Sequence, residues 1–454
     1  MGRTVSTGEA GAIAASFLLS ISLALGGGGS PSPLPELFLQ VLTALALAWW
    51  LHRQPGTLTS VPIGAWWIAG LATALHLLQL VPLPPAIWHA LPGRSVEVAA
   101  LELIGAEQQW RPLSVSPART LASLLCALPA LGLMLLTTRL GTTERWRQIG
   151  IIAIAGVITL LLGAAQIKGE AGNPLRLYNR DQVWLTGFFA NHNSAADFIL
   201  IALIAIAALA WRSRKLAPSP LAFIAILAAI DLALLTGLFL TGSRTGIALA
   251  PLVLIAQFLI LHHGNHKHGL TLVAGAACVA IASAICFTLL RNTRGVAIVV
   301  ERFTLDGEFR PEIWRDAVFA LSQYWPFGSG QGTFFPVMIA AERLEVVDPA
   351  LPNRAHNDFL ELAIEGGLPG LLALALIGMI LFRTARPAWG AIGPDAKVQA
   401  MFSTATLTVL ALHSLVDYPL RSMALAGLAA VAAGMLFPPP ATRPGSSRSR
   451  KFEN

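Results

Sequence analysis

Charge is what this chain has least of. Only 12% of its 454 residues are Asp, Glu, Lys or Arg, about half the ~25% usual in soluble domains, while 55% are hydrophobic. That shortage excludes a string of soluble domains, which length alone would suggest, and equally a disordered chain or a charged coiled coil. Cysteine is scarce as well. Cys126, Cys278 and Cys286 lie inside apolar runs with no paired spacing, so neither a disulfide framework nor a zinc ribbon is available. The formal net charge of +7 would suit a nucleic-acid partner if the cations were clustered, but they are spread through connections between apolar segments. What is left is an all-α polytopic membrane protein.

The apolar stretches recur along the whole sequence: Ala10–Leu25, Leu37–Leu51, Ile63–Leu80, Leu121–Leu136, Ile149–Ile167, Phe198–Trp211, Leu221–Thr241, Gly246–Leu261, Leu270–Leu290, Leu368–Phe382, Ala400–Leu415 and Met423–Phe437. Twelve crossings are expected from them, within one membrane domain covering 1–454. A crossing helix needs about 20 apolar residues, and Phe198–Trp211 is the weakest of the set because Asp197 stands at its edge. With the N-terminus inside, Arg53, Arg139, Arg145, Arg147, Arg212, Arg214, Lys215, Lys267, Arg383, Arg386, Lys397 and the basic tail all fall inside. The short outside connections hold only Arg244 and Arg421. The alternation satisfies the positive-inside rule and places both termini in the cytoplasm. Gly26–Ser30 could precede a signal-peptide cleavage site, but Arg3 is a thin positive region for one, and the first stretch reads as a retained span.

Three connections, 83–120, 168–197 and 291–367, are long and lie outside. Loops of that length are usually functional or disordered, and these are rich in Trp, Phe and Arg, which argues against disorder. The chemistry is therefore expected on the outer face, chiefly in a partly helical 291–367 loop between spans nine and ten. Within it, Pro311 suits the start of a helix, with Ile313, Trp314, Ala317, Val318 and Leu321 as its apolar face. The turn Pro326–Phe334 is glycine-rich; freed amides there could bind phosphate, although it matches neither a P-loop nor a dinucleotide fingerprint. Asn353 to Gly367 follows, in which Asn357 or His356 caps a short helix ended by a glycine pair. A histidine at a helix start faces the positive end of the dipole, which disfavours imidazolium and leaves a ring able to take a proton; a plain capping role fits the same position equally well.

Outside positions hold Arg almost to the exclusion of Lys, with Lys168 the exception. The planar fork of Arg binds phosphate oxygens in pairs, although Arg is favoured throughout this chain. Arg244 sits in a four-residue turn between two spans, where a lipid headgroup or simply water could meet it. Asp231 lies mid-span, a functional candidate by default. Asp417 and Arg421 bracket the last outside turn, an arrangement that is as a rule structural.

The segments Gly187–Asn193, Thr241–Gly246, Arg310 with Ile313-Trp314, Pro326–Gly330 and Ala355–Leu362 with Gly366-Gly367 occur in an order that resembles the O-antigen ligase/polymerase family of bacterial envelope enzymes. His413 to Arg421 is similar to the tail of that family, and Thr245 departs from it where many members carry glycine. The resemblance runs from about 185 to 425. It implies a metal-independent membrane glycosyltransferase of the C-superfamily type, without cofactor, in the bacterial inner membrane with its active face in the periplasm, and inverting transfer is the expected course. Such enzymes take a glycan from undecaprenyl diphosphate and pass it to lipid A-core (ligases), to another lipid-linked glycan (polymerases) or to a protein (O-oligosaccharyltransferases). By position, His356 is the implied catalytic residue, and Arg244 and Arg310 the arginines on the diphosphate. Arg302, Arg315, Asn191, Asn193, Asn353, Asn357, Asp417 and Arg421 complete the candidate substrate-binding set. A twelve-span secondary transporter is the rival by architecture, but no six-plus-six self-similarity is visible and the bulk lies outside, late in the chain.

Overall fold

In lipid every backbone amide must be satisfied within its own segment, so apolar runs of this length fold as helices. The computed structural model describes residues 7–29, 33–168, 173–178, 183–216, 219–264, 310–345, 352–390 and 393–440. Its helices are α1 (Thr7–Leu25), α2 (Pro33–Arg53), α3 (Ile63–Leu80), α4 (Pro85–Trp88), α5 (Ser95–Glu102), α6 (Pro117–Thr137), α7 (Thr142–Lys168), α8 (His192–Ser213), α9 (Pro220–Leu240), α10 (Arg244–His262), α11 (Arg310–Tyr324), α12 (Phe334–Ala341), α13 (Asp358–Trp389), α14 (Pro394–His413) and α15 (Met423–Leu436). Two short strands, β1 (Pro82–Leu83) and β2 (Arg111–Pro112), pair antiparallel. Among the described residues eight helices (α2, α3, α6 to α10 and α13) are long and apolar enough to cross a membrane. Each expected stretch except Leu270–Leu290 falls on a helix; that stretch, Cys278, Cys286 and Arg302 lie outside the described residues. The chain is a helical polytopic membrane protein.

The stretch that looks weakest in sequence makes the central helix. The apolar stretch of α8 is 94% buried, packed among α7, α9, α10 and α14. Its apolar run reads as short because Asn193 and Asp197 stand at its start, yet both are paired inside the protein: Asn193 with Asp417, and Asp197 Oδ1 at 2.5 Å from His413 Nδ1 at the end of α14. Small residues allow the close approach; Gly246 of α10 leaves no room for a Cβ against Ala196 of α8. Asp231 also finds a partner, since Gln257 Nε2 of α10 donates to it at 3.2 Å.

α13 is two helices joined at a bend, where Gly367 adopts φ 58° and ψ −153°. The glycine pair therefore ends the first part and starts the membrane segment. The glycine-rich turn fills the bend. Ser329 N and Gly330 N donate to the carbonyls of Ile364 and Glu365, both at 2.9 Å, and Leu368 N to that of Pro326 at 2.8 Å. Gly328, at φ +80°, leaves no space for a Cβ beside the Glu365 carbonyl. Phe327 N and Gly328 N donate to Tyr324, Gln331 N to Gln79 Oε1 and Phe334 N to Glu365 Oε1. Most amides of the turn that could have met phosphate are thus bonded within the protein, several of them across the bend. The expected face of α11 is largely kept, with Ala317 buried and Ile313, Trp314 and Leu321 partly buried, but Val318 is exposed while Asp316 and Ala320 are buried; Arg343 Nε pairs with Asp316 at 2.6 Å and offsets the cost of burying that carboxylate.

Candidate active site

His356 stands where three elements meet. Trp314 Nε1 of α11 donates to the Ala355 carbonyl at 2.8 Å, and the Ala355 amide donates to Glu361 Oε2 at 3.2 Å. Arg354 Nη1 donates to Glu361 Oε1 at 2.8 Å, so the residues just before His356 are clamped from both sides. Asn357 then caps α13 by accepting from Leu360 N at 2.9 Å. Under these restraints His356 takes φ 48°, the one positive φ of a non-glycine residue among those described. Such a conformation costs about 1–3 kcal/mol and persists only where the surroundings over-determine it.

The ring is held as firmly. His356 Nδ1 lies 3.2 Å from Asp417 Oδ1, and Tyr418 packs edge-on at 5.0 Å between ring centroids. Asp417 is almost wholly buried and also accepts from Tyr418 N at 3.0 Å and from Asn193 Nδ2. Burial pushes the Asp417 carboxyl up, but the hydrogen bond and charge of His356, with His413 and Arg310 nearby, outweigh it and hold the group below the usual carboxylate range. A carboxylate fixed on Nδ1 selects the tautomer with its proton there and leaves the lone pair on Nε2. Burial and the Asp417 charge keep the Tyr418 hydroxyl above its ordinary value, so it stays neutral.

Arg421, a candidate for the substrate-binding set at a turn that also reads as structural, faces three carboxylates. Its guanidinium faces Glu365 Oε2 at 2.9 Å, Glu361 Oε1 at 3.3 Å and Asp358 Oδ1 at 3.5 Å. Burial lowers the affinity of Arg421 for its proton, but Glu361, Glu365 and Asp358 more than reverse this. With its donors on carboxylates inside the protein, this fork ties the turn between α14 and α15 to the start of α13. Asp358 adds to the seam, taking a bond from Ser414 Oγ at 3.0 Å while its amide donates to the Ser414 carbonyl at 2.9 Å.

The other candidates divide. Arg310 opens α11 and lies close enough to lower the Asp417 carboxyl. Arg244 opens α10, beside the first turns of α8 that carry Asn193. Asn191 caps α8 by accepting from Asn193 N at 2.8 Å. Asn191 and Asn357 therefore serve as helix caps, and Asn193 braces Asp417. Arg315 sits on the exposed face of α11 with Val318 and Phe319. Asn353 is exposed, and Arg302 is not among the described residues. Sequence reasoning missed Trp314, Arg354, Glu361, Glu365 and the Asp197–His413 pair. Glu361 and Glu365 carry a signal that could have found them, since carboxylates one turn apart before a membrane segment require a cation.

Residues 229–375 match the family model described as O-antigen ligase. A curated O-antigen ligase of Pseudomonas aeruginosa (strain PAO1) is 30% identical over 229 residues, 49% of this chain and 50% of the relative. Over these stretches the chain is similar to O-antigen ligases. It spans about half the length of the curated relative it matches. The O-antigen ligase match contains Arg244, Arg310, His356, Glu361 and Glu365, whereas Asn193, Asp197, Asp417 and Arg421 come from outside it. In this chain the candidate site is thus completed by α8 and by the turn between α14 and α15.

Proposed function

We propose that the chain transfers a glycan from undecaprenyl diphosphate to a hydroxyl acceptor at the periplasmic face of the inner membrane, as a ligase onto lipid A-core or a related polymerase. The observation that carries this is the His356–Asp417 pair, held at a strained backbone position and leaving Nε2 as the proton acceptor. The acceptor hydroxyl gives its proton to Nε2 while its oxygen bonds to the anomeric carbon. The bond from that carbon to the diphosphate oxygen breaks, and its electron pair leaves with the lipid diphosphate. Arg244 and Arg310 stabilise the charge developing there, and Asp417 stabilises the imidazolium. One displacement inverts the anomeric centre. No nucleotide enters, because the activated leaving group arrives with the donor.

General-base assistance contributes about 10²–10⁴-fold, and bidentate arginine contacts are geometrically demanding. Arg244→Lys keeps the charge and loses the fork, so a marked loss of transfer is expected in proteoliposomes given lipid-linked glycan and lipid A-core; unchanged transfer would remove Arg244 from the diphosphate. A deletion strain distinguishes the acceptors. Polymer missing from lipid A-core with accumulated lipid-linked chains identifies a ligase, and single repeat units on the core identify a polymerase. Normal lipopolysaccharide with glycan missing from protein identifies an O-oligosaccharyltransferase.

A further inference from the structure

The segment between α3 and α6 is folded inside out for a part bathed in water. α5 exposes Val96, Ala99 and Ala100, and Leu103 continues the same face. These positions share one helical face. Val96 is 80% exposed and Leu103 87%, and the neighbouring Ile104 and Trp110 stand at 75% and 65%. The charges turn the other way: Glu97 lies between Arg94 and Arg111, and Arg94 is buried against the carbonyls of Pro112 and Leu113. Glu102 is exposed beside the stripe, and Glu107 is half-buried.

Its place in the fold decides what covers this face. β1 begins at Pro82, directly after α3 ends at Leu80, and β2 ends at Pro112, shortly before α6 begins at Pro117. The ladder pairs Pro82 with Pro112 and Leu83 with Arg111, so the segment cannot stand away from the ends of two membrane helices. The exposed apolar surface of α3, Leu77 and Leu78, runs on through Val81 into the segment. Trp110 at such a level matches the preference of indole for the interface between headgroups and acyl chains. On its inner side the segment meets the site's scaffold: Val115 N donates to the Ser329 carbonyl at 2.9 Å, and Gly93 packs against the Tyr324 ring.

We infer that residues 82–113 form a membrane-surface plate, with the α5 stripe, Ile104 and Trp110 seated in the lipid on the side of the bilayer where His356 lies. It packs on Tyr324 and the turn at Ser329 and so sets the depth of the catalytic loop relative to the lipid headgroups. The plate stands whatever chemistry the site performs. A protein partner or a second copy would cover the stripe without contact to acyl chains, and the experiment separates these cases.

The full chain is reconstituted in phosphatidylethanolamine–phosphatidylglycerol vesicles with spin labels at Val96→Cys, Leu103→Cys and, as an aqueous control, Thr59→Cys. The signal of the unsubstituted protein is subtracted for its native cysteines. The labelled positions are surface-exposed, and circular dichroism verifies that helix content is retained. Labels at 96 and 103 should be relaxed more strongly by oxygen than by a water-soluble nickel chelate, with an oxygen-to-nickel ratio several-fold above that at 59. A ratio equal to that at 59 overturns the inference, because the stripe then faces water. Low accessibility to both reagents overturns it too, because protein then covers the stripe.

Discussion

Asp417→Asn separates charge from shape at the candidate active site. The asparagine carbonyl can still accept from His356 Nδ1 and Tyr418 N, and Asn193 can turn its amide to meet the new NH2 group. Ring position is kept, and the negative charge beside the imidazolium is lost. A hydrogen bond to a charged partner contributes about 1.5–3 kcal/mol against about 0.5–1.5 for a neutral one, a difference of about 1.5 kcal/mol. Coulomb attraction at about 4 Å and an effective dielectric constant near 20, counted instead of that difference and not on top of it, sets an upper bound of about 4 kcal/mol. At about 1.4 kcal/mol per factor of ten, single-turnover glycan transfer should slow about 10- to 10³-fold. Binding of the lipid-linked donor, measured separately by its effect on thermal stability, should change little. Transfer within twofold of the wild-type rate, with the fold intact, refutes the role given to Asp417.

Arg421→Gln should lower stability by about 3 kcal/mol, because Glu361, Glu365 and Asp358 would be left buried without their cation; thermal unfolding in detergent measures this, and a folded, inactive variant would instead return Arg421 to the substrate. Gly328→Ala should cost at least about 1–3 kcal/mol, since φ +80° and the Glu365 carbonyl both oppose a Cβ; a variant of unchanged denaturation midpoint would contradict the role of the turn as a wedge. Asp417 also predicts a pH dependence. Its carboxyl is held below the ordinary range in the folded protein, so its stabilising contribution is complete above about pH 4 and is lost as pH falls through the folded value. The stability gap between wild type and Asp417→Asn should therefore be present at pH 7 and close well below pH 4; a gap unchanged at low pH would show that Asp417 does not act through its charge.

Much of the fold is legible in the sequence because lipid leaves so few alternatives. Apolar runs become helices, and the glycine pair Gly366-Gly367 marks a real break. The reading weakens where polar residues depend on distant partners. Asp197 makes α8 look marginal, and only the contact with His413 shows that the helix is central. The pairing of Arg421 with Glu361 and Glu365 joins positions far apart in sequence, so a cation suited to phosphate proves to be holding carboxylates. The glycine-rich turn has the composition of an anion cradle, but most of its amides are bonded within the protein, several across the bend in α13, which no local pattern reveals. His356 itself was visible as a histidine at a helix start. Its strained φ and its carboxylate partner arise from tertiary clamps at Trp314, Glu361 and Asp417.

The most direct measurement is glycan transfer by His356→Ala, in proteoliposomes supplied with undecaprenyl-diphosphate-linked glycan and a lipid A-core acceptor. Removing the proton acceptor should reduce the rate by about 10²-fold or more in a protein that circular dichroism shows to be folded, with a lowered thermal midpoint because Asp417 loses a partner. Transfer at the wild-type rate would contradict the central claim, because the base would then lie elsewhere.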